Sequence, residues 1–146
     1  MEDKFKFDQL KARIATMQHD LPIALANQAQ NYFVSSFTKQ AWDGTPWQEV
    51  KRRIPGTVEY KYPADKDLGR RTRPILIGKG STKLRRAVAS SIRTTAWPII
   101  RLVVDLPYAK RHNDGLNGLP KRTYMGQTKE LTSMQLQMIN DYKKNL

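Results

Sequence analysis

Phe7, Leu10, Ile14, Met17 and Leu21 recur at alternating spacings of three and four. A helix gathers that spacing onto one face, so the pattern predicts an amphipathic helix over this stretch. Lys11, Arg13 and Gln18 fall off the stripe. Asp20 and Leu21 then lead into Pro22. Asp is a favoured N-cap, and Pro is tolerated in a first helical turn. The expectation is a second helix from about residue 22 to 40, with Leu25, Ala29, Phe33 and Phe37 on its face. One helix continuing through Pro22 is the alternative. His19 reads as a polar residue at the junction.

The pattern changes at AWDGTPW. Asp43-Gly44 and Pro46 are turn signals, and Trp42 and Trp47 on either side are expected to pack over the helix end. Val58, Tyr60 and Tyr62 alternate with Glu59 and Lys61, as in a short strand. Residues 63–73 are polar and mixed in charge, which predicts a long loop. Ser81 or Thr82 can cap a short helix carrying Leu84, Val88 and Ile92. The preceding Gly78-Lys79-Gly80 lacks the spacing of a Walker phosphate loop. A strand is predicted over 91–97. Another, over 99–106, places Ile100, Leu102, Val104 and Leu106 on one face. Leu131, Met134 or Gln135, Met138 and Tyr142 share a face of a C-terminal helix. Together these predict an α+β fold: two N-terminal helices, a small and mainly antiparallel sheet with a short helix, and a C-terminal helix. A length of 146 residues fits a single domain, helical over 1–40 and with extended loops at 63–73 and 107–126.

Charge narrows the partners. Lys and Arg total 26 against 13 Asp and Glu, a formal +13. Such an excess attracts polyanions, so DNA backbone or an acidic protein is the expected counterpart. The basic residues singled out for that contact are Arg52, Arg53, Arg70, Arg71, Arg85 and Arg86. They are spread along the chain, so a DNA contact would be with the backbone and would not read sequence.

Catalytic readings fare poorly. The stretch PYAKRHNDGLNGLPKRTYMG, residues 107–126, holds His112, Asn113 and Asp114 together. A nuclease of the HNH type needs a further ligand set, and a serine hydrolase of the nucleophile-elbow type needs G-x-S-x-G; neither occurs. There is no Cys, and the two His are far apart in sequence. No catalytic, cofactor or metal residues are therefore expected. No run of about 18 apolar residues is present, and MEDKFKFDQL lacks the apolar core of an export signal, so neither a membrane partner nor export is expected.

Three features together resemble the virion morphogenesis and tail-completion proteins of tailed bacteriophages. A helical N-terminal part leads to AWDGTPW. Ile75-Leu76-Ile77-Gly78 is followed by Leu84-Arg85-Arg86 and Ser91-Ile92. Tyr108-Ala109-Lys110-Arg111-His112-Asn113-Asp114-Gly115 is followed by Pro120-Lys121-Arg122-Thr123-Tyr124-Met125-Gly126. The resemblance implies a structural virion protein: a subunit of a homo-oligomeric ring at the head–tail junction, joining connector to tail around the DNA path. It would be made in the host cytoplasm and would end in the virion. On that reading Tyr108, Arg111, His112, Asn113, Pro120, Arg122 and Tyr124 are interface candidates, with Arg122 and Tyr124 as anchors on a projecting segment. His112 and Asn113 would fix the segment by hydrogen bonds to backbone. The rival expectation is a basic protein that binds nucleic acid without reading its sequence.

Overall fold

The computed structural model describes residues 2–62, 68–78 and 81–146. Among these are five α-helices: α1 (Glu2–Lys39), α2 (Val58–Lys61), α3 (Lys83–Ala89), α4 (Ala109–Asp114) and α5 (Lys129–Lys144). Two antiparallel pairs complete an α+β fold: β1 (Ala41–Trp42) with β2 (Thr45–Pro46), and β3 (Ile92–Thr94) with β4 (Arg101–Leu102). The predicted class holds, but the single small sheet is two separate hairpins. Residues 63–67 of the expected 63–73 loop lie outside the described residues, and a 3-10 turn follows over Leu68–Arg71.

The expected pair of N-terminal helices is one. The helix α1 spans 38 residues with Pro22 inside it, and Asp20 caps nothing. Pro22 withholds one N–H, from the carbonyl of Gln18. Gln18 is exposed, so that carbonyl can turn to water, while Leu21, Pro22, Leu25 and Ala26 are buried. Burial around the proline therefore outweighs its local cost. His19 is exposed, with Nδ1 2.7 Å from Asp20 Oδ1.

The chain divides into two compact units. The first holds Met1–Tyr32, Ser91–Val103 and Gln127–Leu146. Its buried side chains come from α1 (Leu21, Leu25, Ala26, Ala29), from Ser91, and from Thr128 and Leu131 at the start of α5. Thr128 caps α5: its Oγ1 accepts from Leu131 N at 3.0 Å and donates to Tyr32 Oη at 3.0 Å. The Tyr32 hydroxyl donates in turn to Glu130. This ties α5 to α1 at a point where a lost cap alone would cost about 1 kcal/mol. On α5 it is Gln135, not Met134, that shares the half-buried face with Met138 and Tyr142. The β3–β4 ladder pairs Ile92 with Leu102 and Thr94 with Arg101. It is shorter than the predicted 99–106 strand because β3 offers only three residues to pair with. The alternation itself is as predicted: Ile100, Leu102, Val104 and Leu106 are half-buried, and Ile99, Arg101, Val103 and Asp105 are exposed.

The second unit holds Phe33–Ser90 and Val104–Gly126. Asp43 and Gly44 both adopt positive φ, 50° and 76°, which is the two-residue turn that matches strand twist. The hairpin brings Trp42 to Phe33 (ring centroids 6.1 Å apart) and leads into Trp47, whose ring meets Phe37 edge-on at 5.6 Å. The tryptophans thus pack on the helix end, as expected. The predicted strand at 58–62 is instead the single helical turn α2. Thr57 Oγ1 caps it by accepting from Tyr60 N, and Val58 and Tyr62 are exposed. Alternation there had no second strand to pair with, so the local cap decided. In α3 Leu84 and Val88 are buried as predicted, while Ile92 belongs to β3.

The α1 stripe is unevenly covered. Leu21 is 1% exposed, whereas Phe7 and Leu10 are 56% and 41% exposed. Leu21→Ala should therefore lower the unfolding free energy by about 2–5 kcal/mol in urea titration. Phe7→Ala should change it by no more than about 0.5 kcal/mol.

Candidate functional site

The 107–126 segment folds back on its own unit instead of projecting. The helix α4 begins at Ala109, which is buried, and ends at Gly115 in the left-handed conformation (φ 71°). The amides of Gly115 and Leu116 both reach Arg111 O. A second tight turn follows, with Asn117 and Gly118 at φ 57° and 75° and Leu119 N bonded to Leu116 O. The chain then returns alongside α4. Arg122 N donates to His112 O at 2.8 Å, and Thr123 Oγ1 donates to Asn113 O. Asn113 Oδ1 accepts from both Tyr124 N and Met125 N at 3.0 Å. Trp47 Nε1 donates to Thr123 O at 2.8 Å.

This clasp corrects the expected anchors. Tyr124 is 2% exposed; its ring lies 5.4 Å from that of Phe37 and its hydroxyl donates to Ala109 O at 2.8 Å. Burial, and then Asp114 and Tyr108, push its phenol well above the ordinary range. Arg122 is 7% exposed, with Nε donating to Gln48 O at 3.0 Å. Both side chains are used inside the chain and cannot anchor a neighbour. Asn113 fixes the segment to backbone as expected, His112 does so through its own carbonyl, and Pro120 is half-buried. Arg111 and Tyr108 are exposed.

The clasp also builds one wall of a cavity of about 300 Å³ within the same unit. Its polar lining is Arg52, Ser81, Lys83, Tyr108, His112 and Arg122, against the apolar side chains of Val50, Leu76, Ile77 and Leu84. No carboxylate is among the described residues lining it. Arg52 is held by three carbonyls: Nε donates to Arg70 O, and Nη2 to Arg73 O and Pro74 O. Burial pulls its pKa down first, and Arg73, Arg53, Arg70 and Arg122 add like-charge repulsion. Burial also lowers Arg122, partly offset by Glu49. Glu49 is itself engaged, accepting from Val50 N at 2.8 Å and lying 3.4 Å from Arg53 Nη1. The His112 ring stands edge-on to Tyr108 at 6.1 Å, and its Nδ1 is buried without a hydrogen-bond partner among the described residues. Burial and then Arg122 hold His112 below its ordinary pKa. Such a lining suits an anion, since cations converge where no acid answers them.

The two groups of residues named from sequence thus meet in part. Arg52 joins Tyr108, His112 and Arg122 at the cavity. Arg53 bonds Gln40 Oε1, and Arg71 stacks over the Tyr60 ring at 4.1 Å while donating to Tyr60 O. Arg70 lends its carbonyl to Arg52. Arg85 and Arg86 are exposed on α3. Ser81 and Lys83 were not singled out for a site. Their signal was the Gly78–Ser81 run, set aside for lacking Walker spacing; Gly78 and Ser81 in fact exchange two main-chain hydrogen bonds beside the cavity. Among the described residues no group of three or more His, Cys, Asp or Glu comes together, and no helix is long and apolar enough to cross a membrane. No family model, curated protein or solved structure matches the chain.

Two outcomes follow from the clasp. A Cβ on Gly115 would sit 2.7 Å from Lys121 Cβ and 2.9 Å from its backbone, at a φ that side chains resist. Gly115→Ala should cost at least about 2 kcal/mol of stability by chemical denaturation. His112 is depressed in the folded state, so the unfolded chain binds its proton first. Stability should fall as pH drops from the ordinary histidine value near 6.5 towards the lowered one, and level off below it. In His112→Gln, denaturation across that window should lose this part of the slope.

Proposed function

We propose that this chain is a structural subunit that self-associates, and that its assembly is the head–tail junction ring of a tailed bacteriophage. The observation that carries the reading is the uncovered half of the α1 stripe. Residues 4–20 are exposed except for half-buried Ile14 and Met17, although Phe7 and Leu10 continue the apolar face that is buried from Leu21 onward. This stretch makes an arm of roughly 25 Å at 1.5 Å per residue. A helix with so little packing gains its stability from a partner.

The occupant we favour is a second copy. A heterologous ring needs two different complementary patches on one chain. Besides the arm, the first unit exposes Trp97, Ile99 and Leu136. Copies of charge +13 repel one another, and DNA along a ring axis would supply about one negative charge per 1.7 Å. Arg85, Arg86, Lys110, Arg111 and Lys121 are exposed and make no ion pair among the described residues, which suits that DNA or an acidic neighbour. The same free cations favour the second reading, a free-standing nucleic-acid binder.

Sedimentation equilibrium tests the proposal. Association of the wild type should strengthen with added salt as repulsion is screened. It should be lost in the double variant Phe7→Glu, Leu10→Glu, whose thermal melt stays unchanged. Association indifferent to that pair would remove the arm's role. Tight DNA binding by the monomer at physiological salt would favour the second reading.

A further inference from the structure

We infer that the cavity behind the 107–126 clasp is a binding site for a phosphate monoester or free phosphate. Arg122 is more than nine-tenths buried and is fixed through Nε, yet its two terminal amino groups make no hydrogen bond among the described residues. Arg122 lines the cavity, so these donors are left for a ligand there, and the charge-assisted bonds they would make with an anion are stronger than neutral ones. Arg52 is pinned at the same cavity by three carbonyls and surrounded by like charge. Lys83 lines the cavity from α3 and pairs with no acid among the described residues. His112 contributes a ring with a buried nitrogen unpartnered among the described residues.

The number of donors decides between anions. Two guanidinium groups, an ammonium, an imidazole and the hydroxyls of Ser81 and Tyr108 line one space from four stretches of chain. A carboxylate offers two oxygens; a phosphate monoester offers three acceptors around a tetrahedral centre and carries nearly two charges at neutral pH. The forked Arg donors suit it. A volume of about 300 Å³ is at the small end of ligand sites, enough for a phosphate and a small organic body lying on Val50, Leu76 and Leu84. A duplex does not enter such a space, so the group is free phosphate, a mononucleotide phosphate or the phosphorylated end of a strand. The site stands whether or not the chain assembles.

Calorimetric titration with inorganic phosphate, with a 5′-phosphorylated short oligonucleotide and with its 5′-hydroxyl counterpart tests this. Inorganic phosphate should bind the wild type at one site. Lys83→Gln should weaken it at least tenfold, while Arg85→Gln, on the same helix but outside the cavity, leaves it unchanged. Tighter binding of the phosphorylated oligonucleotide than of the hydroxyl form supports the site with a strand end as source. Phosphate binding with no such preference, and no oligonucleotide binding, supports it with a small phosphate as source. Equal binding of both oligonucleotides, equal loss in the two variants, or no phosphate binding at millimolar concentration would overturn it. Lys83 is exposed, so its variant folds and each outcome is readable.

Discussion

The carboxamide oxygen of Asn113 accepts from two successive amides, Tyr124 N and Met125 N, and that one atom fixes the return of the 107–126 clasp along α4. Each bond contributes about 1 kcal/mol net, but the pair also sets register. With Tyr124 held there, its ring reaches Phe37 and its hydroxyl reaches Ala109 O. With the return strand in place, Arg122 is carried into the interior and Trp47 finds Thr123 O. Gly115 permits the approach, because any side chain there would meet the backbone of Lys121.

Bringing Arg122 inside has an electrostatic cost that Glu49 offsets only in part. Burial opposes its charge, and Glu49, the acid that favours it, is shared with Arg53 and Val50 N. The neighbouring Arg52 worsens the imbalance. Cations so arranged around a cavity are stable in company with an anion, and that links the clasp to binding. The exposed half of α1 poses the complementary problem in apolar form, which the proposed self-association would resolve. Architecture and proposed function therefore rest on two uncompensated surfaces, one charged and one apolar.

Local rules were read well where they acted alone. Asp43-Gly44 gives its turn because Gly accepts positive φ freely and Asp tolerates it better than most side chains. The period-two facing of Ile100 to Leu106 and the burial of Leu84, Val88 and Leu131 followed from spacing. The errors arose where tertiary packing outvoted a local signal. Pro22 suggested a break, but burial on either side of it kept α1 whole. Val58, Tyr60 and Tyr62 alternated, but a Thr57 cap without a partner strand gave a helical turn. Composition turns the 107–126 stretch outward: it names Arg122 and Tyr124 as sticky residues without saying that Gln48 and Phe37 of the same chain receive them. Lys83 and Ser81 were invisible as a site because the residues that complete it lie some 30 positions away on either side.

Residue-resolved amide hydrogen exchange on the isolated chain tests the central claim, that 107–126 is an internal clasp and the start of α1 is the surface left for a partner. Arg122, Tyr124 and Met125 amides should be protected to nearly the level of global unfolding, while amides of residues 5–11 exchange orders of magnitude faster. Exchange of Arg122, Tyr124 and Met125 at open-loop rates, with residues 5–11 protected, would contradict it.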